Sequence, residues 1–376
     1  MRARPWAQAV GVAQIGLIVL IKRINLALQG GGALGAYTWG ALDRILEDER
    51  LDIEAISGAS AGAMNAVVLC DGLVAGGAEG ARRALRRFWE GVARAGESNP
   101  YRRTPLQALL QASMGPWGDA LSAPWMAWWN AVAGASNPYD SNPLNLNPIK
   151  DVLEELVDFD RVRSCRTVQL YVAATHVETG RVRLFTNAEM TAQHVLASAC
   201  LPQLFQAVEI GGEHFWDGGY MGNPPLFPLF DHPRSQDIVI VQINPIERPG
   251  IPRTAIDIAA RVNEVTFNAS LLRELRAIDF VARLIDQGHL QEGAYRKMLI
   301  HAISDDPDLL PLAANAKMNT DMSFFETLFQ YGRTSCDGWL DAHFGDLGAR
   351  STVDLRLMFE GEVGPLGAAR GATGHS

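Results

Sequence analysis

The sequence predicts an α/β fold, because one pattern occurs twice: an apolar run, a glycine-rich turn, then a helix of small residues. Ile24 to Gln29 (INLALQ) reads as a buried strand that enters Gly30-Gly31-Gly32-Ala33-Leu34-Gly35, and Ala33 to Leu46 then reads as a helix. Leu51 to Ser57 (LDIEAIS) alternates as a strand and enters Gly58-Ala59-Ser60-Ala61-Gly62, with helical composition from Ala61 to Leu73. Two later runs agree: Asp237 to Ile243 (DIVIVQI) and Met298 to Ile303 (MLIHAI) read as strands. Between them Ile256, Val262, Val265, Ala269, Leu272 and Leu275 recur at helical spacing on a long helix through about Ile285. Ser323 to Gly348 is again helical, with Phe324, Phe325 and Phe329.

The second turn has the G-x-S-x-G form of a nucleophile elbow, in which a serine sits between strand and helix with Oγ exposed. A chain that turns so sharply needs small neighbours, which Gly58 and Gly62 supply. Beneath Ser60 lies the positive end of a helix.

The first turn leaves consecutive backbone N–H groups unobstructed, which suits an anion. A nucleotide phosphate is one reading, but the spacing is not G-x-G-x-x-G and no Lys-Ser/Thr ending follows. The other reading is an oxyanion hole, where such donors supply roughly 3–4 kcal/mol. A G-x-S-x-G shortly downstream favours the second.

Glu213 to Trp216 reads as a strand ending in Asp217-Gly218-Gly219. Asp-Gly alone is foremost a hairpin signal. Beside the other two motifs, it fits an aspartate that activates the serine with no histidine required. A Ser-His-Asp hydrolase is the competing scheme. His232, His289, His301, His343 and His375 follow Asp217, but none stands in a distinctive context, and only one strong strand precedes Leu51. His176, His194 and His214 read as surface or packing residues.

The ordered motifs, with Val172 to Gly180 (VAATHVETG), Ala197 to Pro202 (ASACLP), Phe205 and Asn223-Pro224, resemble the bacterial patatin-like phospholipase family. The resemblance covers about residues 24–245. It implies a three-layer patatin-like fold, with a mostly parallel central sheet, helices on both faces and here a helical C-terminal extension. It implies a Ser–Asp dyad of Ser60 and Asp217, with the backbone of Gly30, Gly31 and Gly32 as oxyanion hole. Gly58, Gly62, Gly218 and Gly219 then support the turns. One departure is Leu34, where many members carry Lys or Arg, which puts a cationic side chain's contribution in doubt.

Those roles define a reaction. Ser60 attacks an ester carbonyl, Asp217 takes its proton, and water later releases the acyl group. An ordinary aspartate, with a pKa of about 3.9, is a weak base, so a dry pocket or strong oxyanion stabilisation is needed. Three functions fit: a lipid acyl hydrolase of phospholipase A type; the same dyad on another acyl ester (thioesterase, polyester depolymerase or transacylase); or a non-catalytic lipid-surface regulatory protein. Intact Ser60, Asp217 and glycine turn argue against the third.

Composition sets bounds. Of the 376 residues, 48% are apolar, ample for a core, and the 36 glycines suit a sheet with tight turns. A net charge of −9, from 33 basic and 42 acidic residues, argues against a nucleic-acid partner. Cys70, Cys165, Cys200 and Cys336 are scattered without CxxC or Cys/His spacing, and read as reduced thiols. Neither a metal nor a cofactor is implied. The expected partner is an acyl-ester lipid, with peripheral membrane contact as an option, and oligomeric state is left open.

The remaining segments give expectations of organisation. Residues 1–23 hold an apolar run, Val10 to Ile21, read as a peripheral arm or a start assigned too far upstream. It is shorter than the ~20 residues that span a bilayer and lacks an A-x-A site, so a cytoplasmic protein is expected. Residues 24–245 form the catalytic domain, 246–363 a mainly helical part that completes or caps it, and 364–376 a Gly/Ala-rich disordered tail. Within the catalytic domain, Ala78 to Ala95 is helical with Arg82, Arg83, Arg86 and Arg87 on one side, read as a solvated basic face ahead of a lipid-headgroup contact. Met114 to Pro148 carries Trp117, Trp125, Trp128 and Trp129, read as a lid or lipid contact, or equally as local packing.

Overall fold

A computed structural model describes residues 21–97, 137–231, 234–291, 295–304, 309 and 319–361. The expectations for residues 1–20, for Trp117 to Trp129 and for the tail fall outside the described residues.

The strands are β1 (Lys22–Leu28), β2 (Leu51–Gly58), β3 (Gln169–His176), β4 (Val182–Thr186), β5 (Val208–Ile210), β6 (Glu213–Asp217), β7 (Asp237–Val241) and β8 (Leu299–Ile303). They form one sheet in the order β5-β6-β3-β2-β1-β7-β8, with β4 paired to β3. From β3 through β8 the neighbours run parallel, while β4, β5 and β6 add an antiparallel edge. β1 lies between β2 and β7, so the strand order reverses there. Ligands of open α/β sheets bind at the carboxyl ends of strands at such a switch.

Side-chain alternation builds a separate core on each face. Leu26 and Leu28 of β1, Ile56 of β2, and Val239 and Val241 of β7 face one side. Ala27, Ala55, Ile238 and Ile240 face the other. Over the first face lie α1 (Gly35–Glu47) and α2 (Ala61–Glu97), with the helix Met322–His343 packed on α1. Over the second lies the helix Ala255–Asp286, through Leu271, Leu275 and Ile278. Helices on both faces make three layers. A fully buried leucine contributes roughly 1.5–3 kcal/mol, so these lines hold the long helix down.

Residues beyond 245 supply β8 to the same sheet as well as both of these helices. On Ala255–Asp286, the positions Val262 and Val265 are more than half exposed, and burial follows Phe267, Leu271, Leu275 and Ile278. Of the expected series, Leu275 is buried and Leu272 packs against this core, whereas Val262 and Val265 face outward.

α2 is broken at Gly76 and Gly77, where Gly77 takes φ 63°. By length and composition α2 could cross a membrane, but most of its apolar stretch is buried in the protein. The arginines after the break are clasped by acids. Arg82 bonds Asp43 at 2.8 Å, Arg83 meets Glu79 at 3.4 Å, and Arg86 stacks over Trp39 at 5.2 Å. Arg82 and Arg86 thus meet a carboxylate and a ring on α1, while Arg83 and Arg87 stay exposed.

Candidate active site

Ser60 sits between β2 and α2 with φ 53°, one of two described non-glycine residues in the left-handed region. That conformation costs a residue with a Cβ about 1–2 kcal/mol and persists only when its surroundings enforce it. Here they do. The Ser60 N–H is shared between Ser198 Oγ at 3.0 Å and the Ser198 carbonyl at 3.1 Å. Behind it, a Cβ on Gly62 would run into the Leu28 carbonyl at the end of β1. Gly58 closes β2 against the backbone of Gly62. Ser60 keeps 8% of its surface exposed.

The glycine turn passes directly beside it. A Cβ on Gly30 would lie 2.6 Å from Ser60 Cβ and 2.7 Å from the Ala59 carbonyl oxygen. The two motifs are therefore in contact, which requires glycine at position 30. Gly31 follows, buried against Ile243, and Gly32 takes φ 61° at the surface.

Asp217 ends β6 and is fully buried. Its carboxylate Oδ1 accepts the Gly219 N–H at 2.7 Å, its N–H donates to the Cys200 carbonyl at 2.8 Å, and Thr175 Oγ1 donates to its carbonyl at 2.8 Å. Gly218 packs against the Ala173 carbonyl. Asp217 is opposite Ala174 on β3, and β3 pairs Val172 with Gly58, so Asp217 lies at the same end of the sheet as Ser60. The short segment Ser198 to Cys200 braces both residues, holding Ser60 at one end and Asp217 at the other.

The Gly30 N–H, read as one of three oxyanion donors, donates instead to Asn223 Oδ1 at 2.6 Å. The N–H groups of Gly31 and Gly32 meet no acceptor among the described residues.

A set of residues went unnoticed in the motif reading. Gln29, Asn244 and Asn268 join Asn223 in a buried carboxamide cluster behind the turn. A polar side chain at Gln29, directly after the apolar Leu26-Ala27-Leu28, was its visible signal.

Four of the described histidines are engaged elsewhere. His301 is fully buried between Asp237 at 2.9 Å and Thr352 at 3.1 Å, His194 bonds Thr191, and His176 and His214 face Glu178. The four cysteines are unpaired and buried. Among the described residues no cluster of metal-ligating side chains occurs. A concavity of about 670 Å³ lined by Arg44, Glu47, Arg50 and Arg333 contains none of the motif residues.

A family model described as patatin-like phospholipase matches residues 26–230. No curated protein matches the chain. Among solved structures, VipD from Legionella pneumophila is similar at 14% identity and a TM-score of 0.39, over 86% of this chain and 67% of that one. Full-length ExoU of the Pseudomonas aeruginosa type III secretion system, solved with SpcU, is similar at 15% identity and a TM-score of 0.27. That match covers 84% of this chain but about half, 53%, of the other.

Proposed function

The chain belongs to the patatin-like phospholipase family, and on that footing we propose that it hydrolyses acyl esters of lipids with Ser60 as nucleophile and Asp217 as general base. The observation that carries this reading is Ser60 in a left-handed turn at the head of α2, with the glycine turn against its Cβ. Strained backbone at a non-glycine residue marks functional positions, which supports a task for Ser60.

In the proposed reaction, Ser60 Oγ bonds to the ester carbonyl carbon as its proton passes to Asp217. The carbonyl oxygen becomes an oxyanion facing the N–H groups of Gly31 and Gly32. Collapse breaks the bond to the leaving alcohol, which takes the proton from Asp217. Water then attacks the acyl-enzyme, gives a proton to Asp217, and the released Ser60 Oγ recovers it. The position of Asp217, buried at the same end of the sheet as Ser60, supports the role.

The test is product analysis on mixed phospholipid vesicles, with thioester and polyester substrates assayed alongside. Wild type is expected to release free fatty acid, folded Ser60→Ala none, and a fluorophosphonate to label Ser60. Hydrolysis by folded Ser60→Ala at the wild-type rate overturns the assignment. Turnover of the thioester or polyester alone moves the substrate to that class.

A further inference from the structure

Both backbone groups of Gly30 are held by one side chain. Its N–H donates to Asn223 Oδ1 at 2.6 Å, and Asn223 Nδ2 donates back to the Gly30 carbonyl at 3.2 Å. Asn244 Nδ2 donates to that same carbonyl at 2.6 Å. The clamp is itself clamped. The Asn223 N–H donates to Ser270 Oγ at 3.3 Å, and its carbonyl accepts from Gln29 Nε2 at 3.2 Å. Gln29 Oε1 accepts the N–H groups of Ile243 and Asn244, each at 2.9 Å.

Gln29, Asn223, Asn244 and Asn268 are all at most 3% exposed. Apolar side chains could fill the same volume without the cost of desolvating amides. What they could not do is fix the rotation of a glycine peptide, which has no side chain of its own to pack. The Asn223 carboxamide does so, holding the Gly30 N–H with its oxygen and the Gly30 carbonyl with its nitrogen. Asn223 also belongs to the loop that begins at Asp217, so this loop reaches from the carboxylate to the glycine turn.

We infer that Asn223 is a positioning residue: by holding the Gly30 carbonyl it fixes the peptide that carries the Gly31 N–H, aims that donor at the oxyanion, and ties the aim to the loop bearing Asp217. The inference rests on the reading of Ser60 and Asp217 above. It places Asn223 out of reach of substrate, so its effect falls on the transition state.

The experiment compares wild type, Asn223→Ala and Asn223→Asp on a soluble p-nitrophenyl ester. Alongside, it measures affinity for a trifluoromethyl ketone, which forms a tetrahedral adduct, and for an ether analogue, which does not react. For Asn223→Ala, kcat is expected to fall about 100-fold, the effect of losing an oxyanion donor, with KM changed less than about threefold. Affinity for the ketone falls in parallel and affinity for the ether holds. Asn223→Asp keeps the shape and one acceptor but loses the donor to the Gly30 carbonyl; its kcat is expected to fall at least about tenfold, and it decides the question if Asn223→Ala does not fold. Wild-type kcat in either folded variant overturns the inference, as does loss of ether affinity as large as that of the ketone. If wild type itself shows no Ser60-dependent turnover, the functional reading fails instead.

Discussion

Asn223 and Gly30 exchange hydrogen bonds as two strands would, one side-chain amide standing in for a neighbouring backbone. Position 30 then has no room to move, and its missing Cβ faces Ser60 Cβ at 2.6 Å. Gly30→Ala must displace either the serine or the turn. It is expected to fold with a loss of roughly 1–3 kcal/mol from overpacking and to lose nearly all hydrolysis. Gly31→Ala meets only the end of the Ile243 side chain, at 2.9 Å, and should keep the larger share of both stability and rate. Urea unfolding and initial rates on one ester rank the two; equal activity in both would contradict the contact.

The backbone at Ser60 supplies a prediction about stability rather than rate. Its φ of 53° is unfavourable for any residue with a Cβ and natural for glycine. Ser60→Ala removes the nucleophile and keeps the strain, whereas Ser60→Gly removes both. After glycine's greater unfolded-state freedom is discounted, Ser60→Gly is expected to exceed Ser60→Ala by about 0.5–1 kcal/mol. Both are inactive. Denaturant melts of the two inactive variants check this, and a less stable Ser60→Gly refutes it.

The strands and helices were readable because each carries its own pattern. Ile238 to Val241 is an unbroken apolar run, and the break at Gly76–Gly77 falls where the helical stretches ending at Leu73 and starting at Ala78 were separated. Ser60 and the glycines were readable because backbone geometry restricts the residue types. The carboxamide cluster was not. Gln29, Asn223, Asn244 and Asn268 are spread along the chain, and only folding brings their amides together. Nor could spacing tell that Val262 and Val265 face outward, since two stripes on one long helix share a period.

Another long-range pair anchors the helix that starts at the nucleophile. Asp71, only 2% exposed on α2, receives Arg161 Nε at 2.7 Å and a second guanidinium nitrogen at 3.3 Å. Arg161→Leu leaves that carboxylate buried without its cation, expected to cost about 3 kcal/mol. Adding Asp71→Asn removes the stranded charge and should recover part of the loss. A double-mutant cycle by urea unfolding measures it; a loss under about 1 kcal/mol in the single variant would mean that the carboxylate remains hydrated.

The loop after Asn223 is held by a carboxyl group whose titration has a definite sign. Burial pushes Glu274 above the usual carboxylate range, while the N–H groups of Leu226 and Phe227, both donating to Oε2 at 2.8 Å, pull it back. A carboxyl raised on folding keeps its proton where the unfolded chain has lost it. Its contribution is complete below the unfolded value near about 4.3 and fades as pH rises through the folded one. Glu274→Gln keeps an oxygen for both N–H groups and has no charge to bury. The variant is therefore expected to match wild type at low pH and exceed it at pH 7, where wild type holds a buried carboxylate. Urea midpoints across that range test the sign, and a Gln variant that loses stability relative to wild type as pH rises would show that the charged form is the one the loop prefers.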